Sequence, residues 1–165
     1  MGLSFCSRQR GLTVGLVSAL MVFGLWGNAH WDRAGAAEGQ PAPEFYNTDP
    51  NTSSPYSDAV RVGSTLYLAG LLGLGDDGKL VPGGITPESE RTMENLKQIL
   101  ERNGSSLDRV VSCLVFLADF NERPAFNAVY KKYFQQGRFP ARAAVGTSGL
   151  HDNARVEISC TAAVK

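Results

Sequence analysis

Histidine is nearly absent from this chain: His30 and His151 are the two copies in 165 residues. Three cysteines occur, Cys6, Cys113 and Cys160, with no CxxC spacing among them. A structural metal centre gathers about four nitrogen or sulfur ligands, so these shortages argue against one, and no metal is expected. Neither sign of charge is in excess, with 16 Lys+Arg against 16 Asp+Glu. Such a balance lacks the basic footprint of a nucleic-acid surface, and no nucleic-acid partner is expected. The two histidines also offer no acid–base pair for cleaving RNA, because His30 lies in the leader described next.

Gly11–Gly27, GLTVGLVSALMVFGLWG, has no charge at all and follows Arg8 and Arg10. Small residues come after it, GNA ending at Ala29 or AGA ending at Ala36. A positive start, an apolar middle and a small-residue end describe a secretory signal. The run is slightly shorter than the roughly 20 residues of a membrane-spanning helix, and it is rich in glycine. Residues 1–36 are therefore expected to be a signal peptide, with a membrane anchor at residues 11–27 as the alternative. The protein is expected to be exported, periplasmic or secreted, touching a membrane only through this segment. Residues 37–53 read as a tether with one short strand at PEFYNT, and residues 54–165 as one domain. Cys113 and Cys160 lie in apolar, strand-like runs, where they could serve as small hydrophobes or pair in an oxidising compartment. Sequence leaves both readings open.

Regular patterns begin after the tether. DAVRVG and STLYLAGLLGL read as strands joined by a turn at Gly63-Ser64. TPESERTMENLKQILERNG predicts a helix with Thr86 as N-cap, Pro87 in the first turn, an apolar stripe of Met93, Leu96, Ile99 and Leu100, and Gly104 as the stop. DRVVSCLVFLAD is a strand. RPAFNAVYKKYFQQG predicts a second helix ending at Gly137, with Phe126, Val129, Tyr130 and Tyr133 on one face. RAAVGTSG and ARVEISCTAAV complete the strands. The order predicts an α+β fold: one mixed sheet with both helices on one face. In the last strand Val156, Ile158, Cys160, Ala162 and Val164 alternate with polar residues and suit the helix layer. The middle strands are apolar on both sides, with Val111, Cys113, Val115 and Leu117 read as one face and Val110, Leu114 and Phe116 as the other. Two helices cover one face, so the second is expected to meet other subunits, with an N-terminal segment folded over that face as the alternative.

Two motifs carry no chemistry. GLGDDG, Gly73–Gly78, has the spacing of a dinucleotide-binding loop, but KLVPGG follows where a helix must start, so a hairpin-like turn is expected. Ser148, His151 and Asp152 sit too close in sequence for a hydrolase triad. Arg142 stands apart. Set among Ala141, Ala143, Ala144 and Gly146, its planar fork can hold a carboxylate through two charge-assisted hydrogen bonds. Glu157, expected on a neighbouring strand, could instead close a structural salt bridge with it.

SPYSDAVRVGSTLYLAG, NLKQILERNGSSLDRVVSCLVFLADF, FNAVYKKYF, FPARAAVG and ARVEISCTAAV resemble, in order and spacing, the Rid (YjgF-type) family of reactive-intermediate imine deaminases. The resemblance covers Ser54 to the C-terminus. It implies a chorismate-mutase-like fold and a barrel-like homotrimer with active sites in the clefts between subunits. It further implies that Arg142 clamps the carboxylate of a 2-imino or 2-enamino acid and that Glu157 positions and activates the attacking water. Tyr56, Asn127 and the Gly70 backbone donor would complete the substrate contacts. The products would be a 2-oxo acid and ammonia, with no cofactor. Ala69, Leu71 and Ala144 stand where many deaminating relatives carry serine, glutamine and cysteine. Those exchanges make the pocket more apolar and point to a bulkier imino acid than 2-aminoacrylate, or to weaker activity. The alternative is a non-catalytic trimer that holds a small carboxylate in the same cleft.

Overall fold

Glu44–Tyr46 (β1), Ala59–Val62 (β2), Thr65–Leu68 (β3), Val110–Leu117 (β4), Ala141–Gly146 (β5) and Val156–Ala163 (β6) form one sheet in the order β1-β2-β3-β6-β4-β5. The computed structural model describes residue 39 and residues 41–51 and 53–164, so the expected signal or anchor lies outside the described residues. β4 and β5 run parallel, and the other neighbouring pairs are antiparallel. A parallel pair needs a long crossover, which the helix Arg123–Tyr130 (α2) supplies between β4 and β5. The helix Ile85–Arg102 (α1) packs against β6 and α2. The result is the expected single mixed sheet with two helices on one face.

The core lies between these layers. Leu66, Met93, Leu96, Leu100, Phe126 and Ile158 are fully buried there, each contributing about 1.5–3 kcal/mol through removal of its side chain from water. β6 alternates as read, with Val156, Ile158, Cys160 and Ala162 buried. β4 departs from the expected phase. Val110 pairs with Ala162 and Ser112 with Thr161, so Val111 is the extra residue of a bulge. The bulge turns Val110 into the core and leaves Val111 53% exposed. Beyond it Cys113, Val115 and Leu117 keep the buried face as expected.

Both helices also differ at their ends from the sequence reading. α1 starts at Ile85, and Gly84 rather than Thr86 is its N-cap, with no side-chain capping bond. Gly84 has φ 87°, a conformation that favours glycine. This lets the helix begin early enough to bury Ile85. α2 stops at Tyr130, well before Gly137. Lys132 and Tyr133 donate to the carbonyls of Val129 and Tyr130, a tighter i to i−3 pattern. Those turns still present Tyr130 and Phe134 to the core, with ring centroids 4.7 Å apart. The GLGDDG segment is a turn closed by the Leu74–Leu80 bridge, as expected.

Glu88, in the first turn of α1, ties the helix to the sheet. Its carboxylate is buried, and Oε1 accepts from the Arg155 N–H at 2.6 Å and the Val156 N–H at 3.2 Å. It thereby joins α1 to the first residues of β6. Gly73 makes room for it, since a Cβ there would lie 2.6 Å from both Glu88 Cγ and its carbonyl oxygen.

Cys113 and Cys160 are register partners on β4 and β6 and form a buried disulfide. The bridge spans 47 residues of sequence, and a loop of that length is expected to stabilise the fold by about 4 kcal/mol. Urea unfolding should therefore show the Cys113→Ala/Cys160→Ala variant less stable by about that amount. Reductant should lower the wild type to the same level; a wild type indifferent to reductant would remove the bridge from the account.

Candidate active site

Arg142 lies on β5, an edge strand, opposite Cys113 in register, and so shares the helix-covered side of the sheet. The edge position lets the long side chain reach α2. Its Nη2 donates to Asn127 Oδ1 at 2.7 Å. Its guanidinium carbon sits 4.6 Å from the Tyr130 ring centroid and 5.6 Å from that of Phe126, contacts worth about 0.5–2 kcal/mol each by cation–π attraction. Asn127 and Tyr130 are three residues apart on α2 and therefore grip the guanidinium together. A cavity of about 360 Å³ opens beside it, lined also by Phe139 and Pro140 and by no acidic residue. Among the described residues Arg142 has no ion pair. A half-buried cation held by a neutral amide and two aromatic faces keeps donors available for an anion.

Glu157 occupies the other side. It falls between Val156 and Ile158 on β6, both buried under the helices, so its own side chain faces the side of the sheet that neither α1 nor α2 covers. Gly70 lies against it, and a Cβ at that position would overlap Glu157 Oε1. Glycine is thus a spatial requirement there, which its sequence position did not reveal. Ala69 and Leu71 donate to the carbonyls of Asp58 and Ile158, while the Gly70 N–H makes no hydrogen bond among the described residues. Tyr56 and Gly70 line a cavity of about 590 Å³ together with Ala69 and Leu71.

The residues singled out in the sequence therefore fall into two groups, Arg142 with Asn127 and Tyr56 with Gly70 and Glu157. Arg142 and Glu157 are not on adjacent strands, because β4 separates β5 from β6. They also point to opposite faces, and no salt bridge joins them. The expected neighbour relation fails because the chain inserts β6 between β3 and β4 instead of beside β5. Ala144 packs against the core and does not line the Arg142 cavity. His151 lies 3.4 Å from Asp152 on an exposed turn. Phe126 and Tyr130, expected on one face of the second helix, are buried in the core. Their additional task as a platform for Arg142 appears only once α2 and β5 are placed.

Burial pushes the Tyr130 phenol up to about 12, outweighing the opposite pull of the Arg142 cation. Its hydroxyl is buried and has no hydrogen-bond partner among the described residues. The folded state thus favours the protonated phenol, whereas an unfolded tyrosine ionises near 10. The associated stability is intact below about pH 10 and is lost as the pH rises through about 12. Urea unfolding across that range should show this decline in the wild type and a smaller one in Tyr130→Phe; identical declines would contradict the assignment.

Residues 46–164 match the family model described as Endoribonuclease L-PSP. A mouse protein named 2-iminobutanoate/2-iminopropanoate deaminase is 43% identical over 114 residues, which cover 68% of this chain and 84% of that protein. A dust-mite (Dermatophagoides farinae) protein of the same name is 42% identical over 110 residues, 66% of this chain and 85% of the relative. The crystal structure of yeast Mmf1 superposes with a TM-score of 0.70 at 34% identity, covering 75% of this chain and all of that one (100%). With the fold, the order of its elements and the matched span in agreement, the chain belongs to the Endoribonuclease L-PSP family, the Rid (YjgF-type) family that its motifs resemble.

Proposed function

We propose that the protein is a hydrolytic deaminase that converts 2-imino or 2-enamino acids to 2-oxo acids and ammonia. The observation that carries this reading is the Arg142 guanidinium, held by Asn127 and Tyr130 beside a cavity with no carboxylate of its own. The mouse relative's name, at 43% identity, supports the same chemistry. RNA cleavage finds less support, since His151 is the one histidine among the described residues.

Arg142 binds the substrate carboxylate through paired N–H donors and fixes the imine carbon in place. Glu157 accepts a proton as water adds to the carbon of the protonated imine, forming a carbinolamine. That proton passes to the amine nitrogen, the C–N bond breaks as the oxygen's lone pair forms the C=O of the 2-oxo acid, and the hydroxyl proton leaves with the ammonia as ammonium. The Gly70 N–H, unpaired among the described residues, donates to the substrate, and Tyr56 lines the same wall.

Since Arg142 and Glu157 occupy opposite faces of one chain, the complete site forms between copies. A homotrimer is the assembly proposed, with the Arg142 group of one copy meeting the Glu157 group of the next. Tyr67, Val111, Leu114 and Val145 support this, being large apolar residues left exposed on the helix-free face.

Keto-acid release from imines generated by an amino-acid oxidase tests the activity. Arg142→Ala and Glu157→Gln should each lower kcat/KM about 100-fold or more. Binding of a carboxylate with no turnover would instead identify a non-catalytic module. Mixing the two inactive variants through unfolding and reassembly should restore about one site in four, because some interfaces combine intact Arg142 with intact Glu157. No recovery in verified mixed trimers would place both residues within one chain's site.

We also propose that the protein is exported. The charge-free run Gly11–Gly27 and the Cys113–Cys160 disulfide support this independently, since such bridges persist in oxidising compartments. Fractionation of the producing cell should recover a shortened chain beginning after Ala29 or Ala36; an intact, reduced chain in the cytoplasm would contradict it.

A further inference from the structure

Lys131 follows the last residue of α2 and lines the same cavity as Arg142. Its neighbour Lys132 is engaged by Glu90, with Nζ 3.0 Å from Oε1. Lys131 has no carboxylate partner among the described residues. The cavity wall supplied by one copy therefore holds two cations and no anion. Tyr130 contributes a phenol whose pKa burial raises to about 12. Asn127 has its Oδ1 occupied by Arg142. What this wall offers a ligand is mainly positive charge and hydrogen-bond donors, beside the apolar surfaces of Phe139 and Pro140. A substrate with one carboxylate uses Arg142 and leaves Lys131 facing water.

We infer that Lys131 is a second anion-binding point of this site and that the substrate is a 2-imino acid with another carboxylate on its side chain. This rests on the proposed deaminase reading and narrows it. A volume of about 360 Å³ accommodates a four- or five-carbon diacid and lies at the small end of ligand sites. Arg142 takes the carboxylate beside the imine carbon because its planar fork is fixed by Asn127 and Tyr130. Lys131, a flexible point charge at the more exposed rim, takes the distal carboxylate. The exchanges that remove polar groups at Ala69 and Leu71 lie on the other cavity wall, with Tyr56 and Gly70, and leave this preference untouched.

A lysine in this position also offsets the negative end of α2, a role indifferent to the ligand. The test therefore reads a ratio. Imines are generated from aspartate or glutamate, and from alanine or leucine, and kcat/KM is compared for wild type, Lys131→Ala and Lys131→Glu. The wild type should favour the diacid imines. Lys131→Ala should lower the diacid-to-monoacid ratio about fivefold, the upper range for an exposed ion pair. Lys131→Glu should lower it further. A ratio that both variants leave unchanged overturns the inference. Calorimetric binding of succinate against propionate separates the two readings. Should no imine be turned over, the deaminase reading falls, while succinate preference that depends on Lys131 would still uphold the second anion point. Equal binding of both acids would overturn it.

Discussion

A β-sheet shows alternate side chains to opposite faces, and that geometry governs everything this protein's chemistry requires. Arg142 emerges on the side covered by helices, at an edge strand, where α2 can hold it. Glu157 emerges on the side that neither helix covers, from a strand flanked by two others. No side-chain rotation brings a residue through its own sheet. Under the proposed mechanism, a water-activating carboxylate and a carboxylate-binding cation distributed in this way form a pair only between copies, and the apolar residues exposed on the helix-free face would favour such association.

The fold prepares each group separately. The cation is fixed by an amide, a phenol ring and a phenyl ring, so its donors are oriented before any ligand arrives. That preorganisation reduces the entropy lost on binding. The carboxylate of Glu157 rests on a glycine that leaves no space for any larger residue. A second carboxylate, Glu88, holds α1 to the start of β6 and so fixes the strand on which Glu157 lies. The disulfide joins β6 to β4 three residues further along, opposite the position of Arg142 on β5. Both connections act on β6, the strand between the two halves of the sheet.

Much of this was legible in the chain before folding. The period-two alternation of β6, the apolar stripe of α1 and the turns at Gly63 and Gly104 follow from local chemistry, and the structure keeps them. The errors share one cause. The Val110–Ser112 bulge inverts the expected face of Val111, and the early start of α1 moves its cap from Thr86 to Gly84. The shortened α2 belongs with them. Each was a case in which a local preference gave way to packing against a distant segment. Glu88 is the same lesson in polar form, for its partners are 67 and 68 residues away in sequence.

By itself, the order of residues determined the element types, the two-layer architecture and the identity of Arg142 and Glu157 as the notable charged side chains, because periodicity and residue chemistry are local properties. Tertiary structure decided strand order, which placed β4 between those two residues, and it decided which cysteines meet and which aromatic rings hold the guanidinium. Those outcomes depend on which distant segments lie side by side, and strand adjacency is not encoded in the spacing of any single segment.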